Sequence, residues 1–152
     1  ILGMVASKRE HLERIRDKFA EGVLIDEEIS QIFAGIELDK NACIKKSLRH
    51  AKMFSGKYTI AVMPAYGYPS ETAAEARKVL GCNMELLVFD TGKFSLRSVA
   101  PVSHLIARQF HGGGHPNASG GSFSYGWIEK WMLKLFGRVA HAKEFTEVAE
   151  AV

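Results

Sequence analysis

Five glycines lie within ten positions of this 152-residue chain, directly after a segment with helical spacing. Three are consecutive and precede a histidine, in the Gly-Gly-Gly-His run 112–115. Glycine tolerates positive φ and close approach to its backbone, so the run predicts a turn whose N–H groups point one way. No Asp or Glu occurs from 91 to 128, whereas Lys93, Arg97 and Arg108 do. The expected ligand is therefore a phosphate.

Other polar residues around this run have types that suit a phosphate or nucleotide ligand. A guanidinium such as that of Arg97 can grip a phosphate with two parallel hydrogen bonds, although a lone surface arginine is more often solvated. His115 can donate a hydrogen bond to a phosphate, ribose or base. The predicted substrate-binding residues are Arg97, Ser98, Arg108, His111, Gly112, Gly113, Gly114 and His115.

The histidines of this region also raise the question of a metal site. His111 and His115 have a spacing found among zinc ligands, but the three intervening glycines do not hold two imidazoles on one helical face. No carboxylate between 91 and 128 is present to neutralise a divalent ion. We therefore predict no metal ligand in the chain, and keep as an alternative a stand-alone metal hydrolase that uses His104 with these two histidines.

Composition sets broad limits on the class of protein. Apolar residues make up 47% of the chain and charged residues 24%, with a net charge of +3, as in ordinary soluble domains. The only cysteines, Cys43 and Cys82, are too far apart for a disulfide framework or a cysteine zinc site, which suits a reducing cytoplasm. No apolar run is long enough for a membrane span. The start at Ile1, without an initiator Met, leads us to expect a piece of a longer polypeptide.

The first third of the chain has helical patterns. A capping box at Ser7–Glu10 starts an amphipathic helix, Asp26 caps a second, and Asp39 caps a third that runs to about Phe54. Residues 1–55 are therefore predicted to be a helical linker.

After residue 56 strands and helices alternate, which predicts an α/β fold with a βαβ unit and a following hairpin. A helix after Pro101 is expected to place Leu105 in the core, and Trp131 is expected to pack in the core more readily than to stack on a base. The predicted elements are strands Tyr58–Met63, Met84–Phe89, Phe94–Val99 and Ser119–Tyr125, and helices from Ser70 to Gly81, from Pro101 to Phe110, Trp127–Phe136 and Val139–Val148.

The segment 110–120 reads Phe-x-Gly-Gly-Gly-His-Pro-x-Ala-x-Gly and follows a Ser-Leu-Arg-Ser strand at 95–98 and a Val-x-x-Leu-Ile-Ala helix at 102–107. This combination resembles the DHH-associated C-terminal domain of the DHH phosphoesterases over about residues 56–126. The family includes nanoRNase/pAp phosphatases and cyclic-dinucleotide phosphodiesterases. The resemblance implies a mixed β-sheet flanked by helices, with residues 56–152 as a substrate-binding domain after the helical linker.

The resemblance also implies a function. In that family, the glycine run and the strand arginine hold a short oligonucleotide or nucleoside phosphate against Mn²⁺ or Mg²⁺ bound by a separate DHH catalytic domain of the same polypeptide. The four aspartates of this chain form no Asp-x-Asp pair and none stands beside a His-His pair. We therefore expect no catalytic residue, no cofactor and no activity in this chain alone. His111 stands where many relatives carry glycine.

The resemblance also extends to an RNA-associated domain. A similar domain occurs in alanyl-tRNA synthetase, so an RNA-binding module is a second alternative to the phosphoesterase interpretation. The sequence also leaves the oligomeric state undecided, with a homodimer as one option.

Overall fold

The computed structural model describes residues 9–22 and 25–152, which belong to two compact units, Ile1–Ala42 and Cys43–Val152. In the first unit, helix α1 (Arg9–Ala20) precedes the start of helix α2 (Glu27–Arg49), and Ile15, Ile29 and Ile36 form a small buried cluster. The predicted capping box at Ser7 lies outside the described residues.

Helix α2 is a single helix of 23 residues where the sequence predicts two. Its predicted start is confirmed, because the Ile29 N–H donates to Asp26 Oδ1 at 2.8 Å. The predicted separate helix at Asp39 is wrong, since Asp39 lies inside α2. The only glycine of this helix, Gly35, costs it about 1 kcal/mol relative to alanine, which is too little to interrupt it.

The end of α2 also differs from the prediction. The helix stops at Arg49, and Lys52–Ser55 form strand β1, so a helix running to Phe54 is wrong. Phe54 instead pairs with Ile60 of the next strand in an antiparallel register. A tertiary partner thus overrides the local helical pattern.

Five further strands follow β1 in the chain: β2 (Thr59–Pro64), β3 (Met84–Val88), β4 (Lys93–Ser98), β5 (Gly113–His115) and β6 (Ala118–Ser122). The six strands form one mixed sheet in the order β1-β2-β3-β4-β6-β5. The pair β2 and β3 is parallel and the other pairs are antiparallel, which confirms the predicted βαβ unit and hairpin.

Helices cover the sheet on both faces, as an α/β fold requires. Helix α3 (Pro69–Leu80) packs Ala73 and Ala76 on one face, and the others contribute to the core on the opposite face around Leu86 and Leu96. These other helices are α4 (Ser103–Arg108), α5 (Trp127–Phe136) and α6 (Ala142–Ala151). None of the described helices is long and apolar enough to cross a membrane.

Three local expectations need correction. Helix α3 begins at Pro69, after Tyr68, which has φ of 50° and provides no side-chain cap. Ser70, expected to begin the helix, therefore lies inside its first turn, although Gly81 ends the helix as expected. Leu105 is exposed, because the short α4 buries Ile106 instead. Trp131 is 63% exposed, because α5 reaches the core through Leu133 alone among its buried residues.

Candidate functional site

Strand β4 divides its side chains between the two faces of the sheet. Phe94 and Leu96 are buried in the core, whereas Ser95 and Arg97 are half-buried on the face that also carries α3. Alternation of this kind is a direct consequence of strand geometry, and it places Arg97 on the face opposite to Phe94 and Leu96.

The pairing register places a row of residues on that same face across four strands. Glu85 of β3 lies opposite Arg97 of β4, Arg97 lies opposite Ala118 of β6, and Ala118 lies opposite His115 of β5. Directly opposed residues point to the same side of a sheet. With about 4.8 Å between strands, Arg97 and His115 are about 10 Å apart at their Cα atoms.

The surface between and beside these two side chains is formed by small residues. Ala118 separates Arg97 from His115. In the adjacent row, Ser95 of β4 lies opposite Gly120 of β6, and Gly120 lies opposite Gly113 of β5. All of these residues are exposed or half-buried. We call this surface, from Ser95 and Arg97 to Gly113 and His115, the open face.

The glycine run is part of a β-hairpin rather than a free turn. Residues Gly113–His115 pair with β6, and β5 lies at the edge of the sheet. The prediction of a turn with converging N–H groups is therefore wrong, because these N–H groups follow the alternating pattern of an edge strand. The glycines have different tasks: a Cβ on Gly112 would lie 2.0 Å from the Gly120 carbonyl oxygen, and Gly114 has φ of 142°. A Cβ on Gly113 would meet open space.

Two side chains attach the hairpin to its surroundings. The fully buried Ser103 hydroxyl donates toward the carbonyl oxygens of His115 and Pro116, at 3.0 and 2.8 Å. The amide nitrogen of Asn117 donates to the carbonyl oxygens of Ser98 and Val99, at 3.0 and 2.8 Å. The position of His115 is thereby tied to α4 and to the end of β4.

A cleft of about 310 Å³ adjoins Arg97 on the open-face side of the sheet. The contribution of α3 comes from residues at helical spacing, which places them along one side of the helix. On α3, the lining residues Ala73 and Ala74 have small side chains. Arg77 of α3 and Arg97 of β4 also line the cleft. Its lining residues are Ser70, Ala73, Ala74, Arg77, Arg97, Ser98 and Asn117.

The guanidinium of Arg97 has a donor that makes no hydrogen bond within the described residues. Its Nη2 donates to the Ser70 hydroxyl at 2.9 Å, while its Nε is buried and has no hydrogen-bond partner among the described residues. A buried donor without a partner costs free energy that an acceptor from a ligand can recover. By contrast, the hydroxyl of the buried Ser98 already donates to the Ala100 carbonyl oxygen at 2.5 Å.

The second arginine of the cleft is paired with a buried acid. Arg77 Nε lies 2.9 Å from Glu85 Oε1 and Arg77 Nη2 lies 2.6 Å from Glu85 Oε2, and Glu85 is fully buried. The hydrogen-bonded carboxylate raises the pKa of the Arg77 guanidinium. The Cys82 thiol lies 3.4 Å from Glu85 Oε1, and burial, with the nearby carboxylate, raises the Cys82 pKa to about 12.

The other predicted residues lie outside the row. Arg108 is exposed in the last turn of α4, which packs against the opposite face of the sheet through Ile106 and Ala107. His111 follows that helix, is exposed, and has φ of 53°. The structure brings Arg97, Gly113 and His115 to one face, and it does not bring Arg108 to that face.

The described residues hold no group of three or more His, Cys, Asp or Glu side chains suited to a metal ion. His104 is half-buried, with an Nδ1 that has no hydrogen-bond partner in this part of the chain, and His111 and His115 are exposed. The donor set of the alternative stand-alone metal hydrolase is thus not assembled among residues 9–22 and 25–152.

Three polar residues that line the cleft were not predicted from sequence. Ser70 and Arg77 lie seven positions apart in α3, with Ala73 and Ala74 between them at helical spacing, and this pattern is a signal that could have identified the cleft side of the helix. Asn117 follows Pro116, a pair typical of turns, but its hydrogen bonds to β4 depend on strand order.

Comparison with known proteins places the fold. No family model and no curated protein matches the chain. Among solved structures, a pGpG-specific phosphodiesterase from Vibrio cholerae matches with a TM-score of 0.51 and 12% identity, over 85% of this chain and 45% of that one. Similarity at this identity shows a shared fold.

Two further solved structures have lower TM-scores. An exopolyphosphatase-related protein from Bacteroides fragilis matches at 0.46 with 20% identity, over 94% of this chain and 46% of that one. The DHH domain of a member of a family of ribosomal proteins matches at 0.47 with 14% identity, over 79% of this chain and 31% of that one. The chain thus spans less than half the length of each of these three structures.

Proposed function

We propose that residues 56–152 bind the phosphate of a short oligonucleotide or nucleoside phosphate on the open face, as the substrate-binding part of a DHH-type phosphoesterase. One observation carries the proposal: Arg97 has a buried Nε without a partner among the described residues and shares a row with His115 across a surface of Ala and Gly. Small residues let a ligand approach the sheet, and the two side chains supply donors at its ends.

The two donors suit different parts of one ligand. The Arg97 guanidinium presents Nε and an Nη group in one plane, which matches two oxygens of a phosphate. His115, about 10 Å away at Cα, donates to the ribose or to a neighbouring phosphate. The acid-free stretch from 91 to 128 keeps the local sequence cationic, which favours anionic ligands.

Hydrolysis belongs to a second part of the same polypeptide in this proposal. A two-metal phosphoester hydrolysis needs carboxylate and histidine ligands around both ions, and the described residues contain no such set. Mn²⁺ or Mg²⁺ would therefore be held by a DHH catalytic domain. The shared fold with a phosphodiesterase that exceeds this chain in length supports this division. The wide separation of Cys43 and Cys82 in the sequence supports a reducing compartment such as the cytoplasm.

The test is a calorimetric titration of 5′-phosphorylated diadenylate (pApA) into the 152-residue chain at fixed salt. Loss of a hydrogen bond to a charged group costs about 1.5–3 kcal/mol, so Arg97→Ala and His115→Ala should each weaken binding about ten- to a hundredfold. Arg97→Lys should recover only part of the loss, because an ammonium lacks the planar fork. Arg138→Ala, which removes an exposed arginine after α5, is the matched control.

Binding that is unchanged in both alanine variants would refute the proposed site. Titration with longer RNA distinguishes the phosphoesterase part from the alternative, an RNA-binding module like that of alanyl-tRNA synthetase. The affinity of such a module should rise with RNA length and fall steeply with salt concentration. The proposed phosphoesterase part should instead reach its full affinity with two to five nucleotides.

A further inference from the structure

Arg97 faces a buried negative charge and yet donates elsewhere. Glu85 lies directly opposite Arg97 in the antiparallel register of β3 and β4, and its carboxylate is fully buried. Opposed side chains in such a pair have Cβ atoms about 5 Å apart and normally form ion pairs when their charges are opposite. The side chain of Arg97 nevertheless donates to Ser70 of α3.

Arg77 explains this arrangement. It approaches Glu85 from the last turn of α3 and bonds both carboxylate oxygens, at 2.9 and 2.6 Å, with one nitrogen each. The Cys82 thiol is also within 3.4 Å of Oε1. Both oxygens of Glu85 are therefore in use without Arg97.

We propose that Arg77 is a positioning residue: by occupying the Glu85 carboxylate it leaves the Arg97 guanidinium free to bind the phosphate of the ligand. The inference rests on the proposed function, since the purpose of a free Arg97 is anion binding. The Arg77–Glu85 ion pair then has a role beyond stability, because it prevents the buried Glu85 carboxylate from pairing with Arg97.

Arg77 and Arg97 compete for the Glu85 carboxylate, and without Arg77 an ion pair between Arg97 and Glu85 is energetically favoured. A buried carboxylate without a counter-charge is strongly disfavoured, so removal of Arg77 leaves Glu85 in need of a cation or a proton. Arg97 is the cation opposite it in the sheet, and its hydrogen bond to the hydroxyl of Ser70 is weaker than an ion pair with a carboxylate. In Arg77→Ala we therefore expect Arg97 to turn from the cleft to Glu85.

A set of variants of the 152-residue chain tests the inference with pApA as the probe. Arg77→Ala should weaken binding about ten- to a hundredfold, like Arg97→Ala, although it leaves Arg97 in place. The double variant Arg77→Ala/Glu85→Gln removes the competing charge and should bind within about threefold of wild type. Glu85→Gln alone should bind at least as tightly as wild type. Thermal unfolding of each variant checks that it is folded.

A second readout does not depend on the ligand. The ¹H–¹⁵N signal of Arg97 Nε, assigned by its absence in Arg97→Ala, should shift in Arg77→Ala and return in the double variant. If Arg77→Ala folds, binds like wild type and leaves this signal unmoved, the inference is overturned. A double variant that binds as weakly as Arg77→Ala overturns it too, because Arg77 would then act on the ligand directly.

These outcomes separate the two proposals. Full binding by both Arg97→Ala and His115→Ala refutes the phosphate site itself, and the Arg97 Nε signal still decides whether Arg77 keeps Arg97 away from Glu85. Weak binding by Arg97→Ala with normal binding and an unmoved signal in Arg77→Ala refutes only the positioning role. If Arg77→Ala does not fold, Glu85→Gln carries the test, since a loss of binding there contradicts the inference.

Discussion

At the scale of single residues, the cleft depends on how charges are paired. Glu85 is fully buried beside two arginines, and the structure pairs it with Arg77 while Arg97 donates to a serine hydroxyl. A chain with the same residues and the opposite pairing would have the same composition and no free guanidinium on the open face. Whether Arg97 can bind a ligand therefore depends on which arginine pairs with Glu85, and not on the number of charges in the cleft.

The thiol of Cys82, which touches the same carboxylate, gives a prediction at this scale. Burial and the neighbouring carboxylate raise its pKa to about 12, so the thiolate, the form that reacts, is favoured only above that pH. At pH 8 the thiolate is about one part in ten thousand. We expect iodoacetamide to leave Cys82 unmodified in the folded chain at pH 8 and to modify it in urea, as followed by peptide mass spectrometry.

Cys43 is the internal reference in this experiment, since it is half-buried. Modification of Cys82 in the native chain as fast as in urea would show that its surroundings are not those described.

At the scale of elements, the β5–β6 hairpin separates structural glycines from a glycine that keeps the surface clear. Gly112 and Gly114 cannot take a side chain without contact with the backbone of β6 or strain at positive φ, whereas a side chain on Gly113 enters open space. Within the glycine run, positive φ is found at Gly114 and not at Gly113.

The hairpin prediction compares two substitutions. Gly113→Val should leave the melting temperature within about 2 °C of wild type and weaken pApA binding, because its side chain stands on the open face beside His115. Gly112→Ala should lower the melting temperature by about 3–10 °C, since forcing a methyl against the Gly120 carbonyl costs about 1–3 kcal/mol. Calorimetry and thermal unfolding measure both properties.

Ala118→Ser is the control for this pair, because it adds one small polar atom on the same face. Unchanged affinity in Gly113→Val would show that the ligand does not cross that part of the sheet.

At the scale of the whole molecule, the proposed phosphate binding is distinct from any hydrolysis. The described residues bring Arg97 and His115 to the open face but hold no set of metal ligands. The chain also spans less than half of the phosphodiesterase whose fold it shares. In the proposed function, phosphate binding and hydrolysis therefore belong to different parts of a longer polypeptide.

We therefore expect the 152-residue chain to have no phosphodiesterase or phosphatase activity on pApA or adenosine bisphosphate in the presence of Mn²⁺ or Mg²⁺. Product formation is followed by chromatography, with the Arg97→Ala variant as a check on contaminating enzymes. Turnover that copurifies with the chain and disappears in His115→Ala would contradict the expectation.

Several features of this protein were determined by local sequence. Period-two alternation in Phe94–Ser98 set the face of Arg97, Gly81 ended α3, and the order of strand, helix and strand predicted the parallel pair. All of these follow from neighbours within a few residues, where backbone sterics and side-chain periodicity decide the outcome.

Only the tertiary structure decided which distant residues meet. Arg97 and His115 share a row because β6 lies between β4 and β5, and Arg77 reaches Glu85 because α3 crosses over β3. Residues 52–55 likewise form a strand and not the end of a helix, because they pair with β2 in an antiparallel register. Strand order and ion-pair choice depend on contacts between residues far apart in the chain, which compete with one another and leave no periodic signal in the sequence.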